Sequence, residues 1–112
     1  MAGKFEIKIS TNGKPFFNLK AGNGQIILSS EIYESKSACE NGIASIKKNA
    51  ADEGRYDRRT SSKGDPYFVL KAGNGQEIGR SEMYSSATAM ENGIASVMKN
   101  APEAEVTDTT AA

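Results

Sequence analysis

The sequence predicts an α+β fold in which tandem β-β-β-α repeats form a single antiparallel sheet, with two helices packed on one face. The first observation is an internal repeat, because residues 19–50 match residues 70–101 at 22 of 32 positions without a gap. The preceding segments, 3–18 and 54–69, match at 5 of 16 positions. The second observation is that hydrophobic residues change from strand spacing to helical spacing within each copy.

A unit of about fifty residues buries little apolar surface by itself, so we expect the two copies to share one core. We therefore predict that residues 1–112 form one compact domain of two pseudo-symmetric repeats, about 3–53 and about 54–109. The tail at 110–112 is expected to fray.

The first three elements of each copy are predicted to be strands joined by tight turns. In the first copy, residues 4–10 (KFEIKIS) alternate between apolar and charged side chains, as in a half-buried strand. An Asn-Gly turn signal at 12–13 precedes a second alternating segment at 15–21 (PFFNLKA), where a proline at the strand start is tolerated. The Gly-Asn-Gly turn at 22–24 leads to a third segment at 25–31 (QIILSSE).

A helix is predicted to follow the third strand, at about 36–49 in the first copy. Apolar residues recur at helical spacing in both copies, at Cys39, Ile43, Ile46 and Ala50 and at Met90, Ile94, Val97 and Ala101. Either Ser35 or Ser37 is the expected N-cap. The spacing of Ser37 to Glu40, repeated from Thr88 to Glu91, matches a capping box.

Each predicted helix contains an Asn-Gly pair, which more often marks a turn. Gly42 and Gly93 each weaken their helix by about 1 kcal/mol relative to alanine. In the first copy, Ala38, Gly42 and Ser45 form a strip of small residues beside the apolar stripe. We predict that this strip serves close packing of the helix against the sheet or the other helix, and not ligand contact.

The motifs FVLKAGNGQ, SEMYSS and ENGIASV…KNAP resemble those of the YegP-like bacterial family of small tandem-repeat proteins. The resemblance extends from about Gly3 to Asp108. It implies a β-β-β-α-β repeat whose C-terminal strands are exchanged between the halves. RYDRRTS (55–61) is then both the last strand of the first copy and the first strand of the second, and AEVTDT (104–109) is the final strand. The resemblance implies no biochemical function.

Composition limits the classes of function. The net charge is zero at pH 7, whereas a dedicated nucleic-acid-binding protein usually has a basic excess. The chain has one cysteine and no histidine, so it lacks an internal disulfide and the commonest metal ligand and general base. We therefore predict no metal and no cofactor.

The same sequence indicates a cytoplasmic protein. No apolar run approaches the roughly 18 residues of a membrane helix, and the N-terminal MAGKFEIK lacks the apolar core of a signal peptide. The internal duplication already supplies a two-fold arrangement, so we expect a monomer. An uncovered apolar sheet face would instead favour a homodimer.

The side chains and loops that could take part in catalysis or ligand binding are better explained by structural roles. Cys39 aligns with Met90, which indicates a core position. The loops at 22–24 and 73–75 join two strands, unlike phosphate-binding loops, which lead into a helix. Two carboxylate pairs are related by the repeat, Glu31 with Glu82 and Glu40 with Glu91. Glu31 and Glu82 lie at predicted strand ends, and Glu40 and Glu91 lie where they could cap a helix. These positions explain the carboxylates without catalysis, so we predict no catalytic residues. An enzyme would need a cavity between the halves and a carboxyl group with a strongly shifted pKa.

Two surfaces remain as candidate sites. With Ile27 and Ile78 pointing inward, the face opposite the helices would expose an apolar patch for a protein or small ligand. Its residues are Phe16, Ile26, Leu28, Tyr67 and Val69. Alternatively, sheet twist or the C-terminal tail covers the patch. A non-catalytic interaction module that uses this face is the predicted function.

The alternative is a weak nucleic-acid contact along the strand at 55–61. Its residues are Arg55, Tyr56, Arg58, Arg59 and Lys63, with Tyr56 and Tyr67 expected to stack on bases. Arg58 occupies a position that is apolar in the first copy, so we expect it to pair with an acid such as Asp108 or to reach solvent. A strand of paired, solvated charges would explain the same residues without a ligand.

Overall fold

Each copy folds as three strands followed by a helix, in a computed structural model that describes residues 3–109. The strands are β1 (Lys4–Ile9), β2 (Pro15–Lys20), β3 (Ile26–Ser29), β4 (Tyr56–Thr60), β5 (Pro66–Lys71), β6 (Glu77–Arg80) and β7 (Glu105–Asp108). The helices are α1 (Lys36–Asn49) and α2 (Ala87–Asn100). The predicted fraying at 110–112 falls outside the described residues.

The Gly-Asn-Gly loops connect antiparallel strands, as predicted. The loop after β2 is closed by the Gly24 amide, which donates to the Ala21 carbonyl at 2.9 Å. The side chain of Asn23 accepts from the Gln25 amide at 3.0 Å. Gly24 has a φ of +86°, which a residue with a side chain rarely adopts. The loop is therefore closed by its own backbone and by the side chain of Asn23.

The strands form one sheet in the order β4-β5-β6-β3-β2-β1-β7. The α+β class and the tandem arrangement are confirmed, but the sheet is mixed, because β7 pairs with β1 in parallel. The other strand pairs are antiparallel. The chain passes from β6 through α2 to the far edge of the sheet, where β7 lies beside β1 and runs opposite to β6. The C-terminal strand of the second copy thus completes the first, as the resemblance implied.

Both helices pack on the same face of the sheet and share one core. α1 contacts β2 of its own copy and β6 of the other, and α2 contacts β5 and β3 in the same way. The third strands meet at the centre, where Leu28 and Gly79 occupy equivalent positions. A Cβ added to Gly79 would lie 2.7 Å from Leu28 Cδ2, so Leu28 fills the space that the glycine leaves. The two copies therefore differ at this position, with a leucine in one and a glycine in the other, and the leucine side chain fills the interface between them.

The helix glycines lie against aromatic rings. A Cβ on Gly42 would lie 2.3 Å from the Tyr33 hydroxyl oxygen, and one on Gly93 would lie 2.2 Å from that of Tyr84. The Tyr33 ring in turn stacks on Phe17, with centroids 6.1 Å apart. The neighbour that approaches the small strip is thus a tyrosine side chain rather than a strand or helix backbone.

The helices are capped one residue before they begin. The Ser35 hydroxyl accepts from the Ala38 amide at 3.1 Å, and the Ser86 hydroxyl accepts from the Ala89 amide at 3.0 Å. The predicted capping box is therefore wrong, because Ser37 already lies inside the first turn. Glu91 is left available for another partner.

Candidate functional site: the open face of the sheet

The face of the sheet opposite the helices, called the open face below, carries a continuous row of side chains. Strand pairing places one residue from each strand side by side. From β4 to β7 these are Asp57, Val69, Arg80, Ser29, Asn18, Glu6 and Thr107. Most of them are polar or charged, so the open face is not the apolar surface that strand alternation predicted.

Leu28 does not belong to the open face. The register shifts between Leu19 and Lys20, so that Leu19 pairs with Leu28 and Lys20 pairs with Ile26. Ile27 is the extra residue of this bulge, and both Ile27 and Leu28 are buried in the core. The prediction that Leu28 points outward is wrong because a bulge interrupts the strict alternation of a strand.

Val69 lies on the open face but is fully buried. Strand pairing places it between Asp57 and Arg80, within a layer of long charged side chains. Arg59 in that layer bonds Asp57 at 2.9 Å and Glu77 at 3.1 Å. The aliphatic stems of such side chains cover apolar surface while their charged ends meet water. Val69 is therefore unavailable as part of an exposed patch.

Three of the five predicted patch residues, Phe16, Ile26 and Tyr67, are partly exposed. Phe16 and Tyr67 occupy equivalent positions in β2 and β5. The Arg80 guanidinium stacks over the Tyr67 ring, 5.7 Å from its centroid. The open face thus offers two half-exposed aromatic rings within a polar surface.

The open face repeats one ionic cluster in both copies. In the first copy, Glu6 lies 3.0 Å from Lys20 Nζ, 3.3 Å from Lys4 Nζ and 3.6 Å from Lys8 Nζ. The hydrogen bond from Lys20, assisted by one from Lys4, holds the pKa of Glu6 below its ordinary value. Glu6 is therefore a carboxylate at neutral pH.

In the second copy, Asp57 takes the place of Glu6. Arg59 lies 2.9 Å and Lys71 3.5 Å from its carboxylate, and the hydrogen bond from Arg59 lowers its pKa. Arg59 and Lys71 are equivalent to Lys8 and Lys20. The charge pattern thus recurs at equivalent positions of both copies, and this recurrence is visible in the sequence.

A cleft opens on this face between the two copies. It holds about 320 Å³ and is lined by Ser29, Ser30, Glu31, Glu77, Gly79, Arg80 and Ser81. Ser29 and Arg80 form the pair that joins β3 to β6. The Arg80 side chain is 56% exposed and lies 3.6 Å from Glu77. The cleft therefore presents a guanidinium group and serine hydroxyls beside an aromatic ring.

The structure removes Tyr56 from the predicted nucleic-acid surface. Tyr56 is buried, and its hydroxyl donates to the Ala50 carbonyl at 2.7 Å. Burial raises its pKa further. The prediction that Tyr56 stacks on a base is wrong, because the ring occupies the position of Phe5 in the first copy and packs with the core.

Arg58 is fixed by carboxylates other than the one proposed. Its Nη2 donates to Glu91 at 2.9 Å and to Glu53 at 3.2 Å. Asp108 instead lies 2.8 Å from Lys36. The equivalent of Arg58 is Ile7, which is buried because β7 lies beside it, whereas position 58 is at the edge of the sheet. Because β4 is an edge strand, position 58 can hold a charged arginine where the first copy has the buried Ile7.

The remaining cations of this strand are also near acids or in a turn. Arg55 donates to Asn49 at 3.2 Å and lies 3.6 Å from Asp52. Arg59 belongs to the cluster of Asp57 and Glu77, and Lys63 lies in the turn between β4 and β5. Most of the positive charge here is therefore balanced within the chain.

The structure does not assemble the suggested catalytic pairs. Glu31 lines the cleft, whereas Glu82 lines a different hollow beside α2. The Arg58 hydrogen bond lowers the pKa of Glu91, opposite to what a general acid needs. Burial raises the pKa of the Cys39 thiol to about 11, which disfavours the thiolate.

Within residues 3–109, no three His, Cys, Asp or Glu side chains are placed to hold a metal ion. No helix in that range is long and apolar enough to span a bilayer.

Comparison with known proteins identifies the repeat. The model of a domain of unknown function, DUF1508, matches residues 10–57 and again residues 61–108. UPF0339 protein YegP of Yersinia pestis is 56% identical over 108 residues, which are 96% of each chain. YegP of Escherichia coli K12 is 50% identical over 110 residues, covering 98% of this chain and 100% of that protein.

Two solution NMR structures share the fold. That of E. coli YegP, described as a protein of unknown function, superposes with a TM-score of 0.93 at 49% identity and covers 100% of this chain and 97% of that chain. That of UPF0339 protein SO3888 from Shewanella oneidensis gives 0.90 at 47% identity and covers 96% and 92%. Since both repeats match and the relatives align over nearly their whole length, this chain belongs to the YegP-like DUF1508 family, as a member with two repeats.

Proposed function

We propose that the protein is a non-catalytic interaction module of the cytoplasm, which binds a protein or small ligand on the open face at the cleft between its two copies. The observation that carries the proposal is the exposed Arg80 guanidinium stacked on Tyr67 at the rim of this cleft. Arg58 and Arg59 of β4 lie closer to carboxylates, with Arg58 2.9 Å from Glu91 and Arg59 2.9 Å from Asp57, whereas Arg80 of β6 has a carboxylate at 3.6 Å.

The chemistry of the cleft favours a partner with an acidic group and an apolar surface. A carboxylate or phosphate can accept two hydrogen bonds from a guanidinium. Phe16 and Tyr67 offer partly buried rings, and such rings bind apolar surface at low conformational cost. The hydroxyls of Ser29 and Ser30 line the same cleft and donate within the chain, to Asn18 Oδ1 at 2.9 Å and to the Glu31 carbonyl at 2.7 Å. Their remaining lone pairs can accept a hydrogen bond from a ligand.

The test is affinity capture from lysate of the source organism, with and without nuclease. The double variant Phe16→Ser, Tyr67→Ser is expected to lose about 90% of the captured partner, since truncated interface aromatics commonly cost at least tenfold in affinity. The matched control is Ile32→Ser, Met83→Ser, which alters an equivalent pair of exposed apolar side chains in the loops after β3 and β6, 52% and 49% exposed.

The control pair is expected to capture the partner normally, and thermal unfolding verifies that both double variants fold. Equal capture by the two double variants would refute the open face as the site. Capture that disappears with nuclease would refute a protein or small-ligand partner and favour nucleic acid.

A further inference from the structure

β4 forms one edge of the sheet, and among residues 3–109 no strand pairs with its outer side. Its counterpart in the first copy, β1, has β7 on that side. The connectivity explains the difference. The segment after α2 is free to become β7, but the segment after α1 must itself become β4. The fold thus contains two equivalent docking edges and one strand to fill them.

The filled edge shows what such an edge binds. Lys4 pairs with Glu105 and Ile7 with Asp108 in parallel register. The Thr109 amide donates to the Ile7 carbonyl at 3.1 Å, and Asp108 forms an ion pair with Lys36 at 2.8 Å. All four residues of β7 are exposed. Main-chain hydrogen bonds and an acidic side chain, and not apolar burial, therefore hold this strand in place.

The open edge of β4 has a cation at a position that is apolar in the filled edge. Arg58 occupies the position of Ile7, which faces the acidic residue of β7 in the filled edge. Its weaker partner is Glu53, which bonds it at 3.2 Å and whose side chain is 70% exposed. A carboxylate from an incoming strand can replace Glu53 at little cost, because an exposed ion pair contributes little. The Arg58–Glu91 pair can remain in place.

We propose that the outer edge of β4 binds an extended acidic peptide of another protein, which adds an eighth strand to the sheet. In strand addition, main-chain hydrogen bonds supply affinity and side chains supply specificity. The acidic residue would bind Arg58 in the place of Glu53. This surface is separate from the open face, so the inference does not depend on the function proposed above.

A second copy of this chain fits the edge less well. Two β4 strands paired antiparallel about their centres would place Arg58 opposite Arg58, and like charges directly opposite destabilise a sheet. The β7 strand of a second copy is already held by its own β1. A peptide from another protein has neither conflict.

The test uses the full-length ¹⁵N-labelled protein and a capped peptide with the sequence of residues 102–109, PEAEVTDT. The control peptide, PQAQVTNT, has the same length without carboxylates. At peptide concentrations up to about 1 mM, the range of weak binding, we expect amide shifts and slower amide exchange along Tyr56–Thr60. The control peptide is expected to bind about fivefold more weakly, since hydrogen bonds to charged groups are about twice as strong as neutral ones.

Two substitutions on the protein complete the experiment. Glu53→Gln is expected to tighten peptide binding about twofold by removing the competing carboxylate, and Arg58→Gln to weaken it about fivefold. Absence of shifts at β4 would overturn the proposal, as would shifts confined to β1 and β7, which would mean that the peptide displaces the chain's own strand. Protection of β4 that depends on protein concentration without peptide would also overturn it and assign the edge to a second copy.

Discussion

At the scale of single residues, Glu6 links the open face to the stability of the fold. Its pKa is lowered chiefly by the hydrogen bond from Lys20, so the folded state binds a proton less readily than the unfolded state. The stabilising effect is therefore complete above the ordinary value of 4.5 and is lost as the pH falls through the lower pKa of the folded state.

Glu6→Gln tests this directly. We expect the variant to be less stable than the original chain at pH 7, and the difference to shrink at pH values well below 4.5, where the carboxyl group is neutral in both states. Urea unfolding at several pH values measures the difference. A difference that is the same at both ends of the pH range would contradict the assignment.

The sequence did not predict the orientation of Leu28 or the burial of Val69. The alternation of β3 predicted an outward Leu28, but a bulge is formed by pairing with another strand and leaves no mark among consecutive apolar residues. Val69 is buried by charged side chains of neighbouring strands, and that register is not encoded locally. The charges at Glu6 and Asp57 were a usable signal, because they recur at the same position of both copies.

At the scale of elements, each helix is fitted to a tyrosine from the loop that precedes it. Gly42 leaves space for Tyr33, and a Cβ there would also approach its Cζ to 2.7 Å. The sequence predicted the helices and their bounds because their apolar spacing is regular. It indicated close packing at the glycines, but the neighbour comes from a loop without periodicity and was not predicted.

Gly42→Ala is expected to destabilise the protein by about 1–3 kcal/mol, because overpacking outweighs the gain of about 1 kcal/mol in helix propensity. Urea unfolding measures the change. The same substitution in a Tyr33→Phe background should cost less, since the nearest atom, the hydroxyl oxygen, is absent. An alanine variant more stable than the original chain would show that the glycine is not required for packing.

At the scale of the whole molecule, the two copies are joined by their third strands and by helices that reach across the join. The duplication predicted a shared core. The pairing of β7 with the first copy and the unpaired edge of β4 follow from connectivity, because the segment after α1 is itself a strand of the second copy. The sequence motifs suggested this exchange only through the family resemblance.

Leu28→Ala tests whether the copies unfold together. Leu28 is fully buried at the join, with its side chain against Gly79, so the cavity is expected to cost about 2–5 kcal/mol. Because the core is shared, tyrosine fluorescence and far-UV circular dichroism should still report one coincident transition. Two separate transitions, in the original chain or the variant, would mean that the copies are independent units.

The most direct test of the proposed function is hydrogen exchange of the protein with and without its captured partner. We expect slower exchange at β3 and β6, which border the cleft, with α1 and α2 unchanged. Slower exchange confined to the outer surfaces of the helices would contradict the assignment of the open face as the binding site.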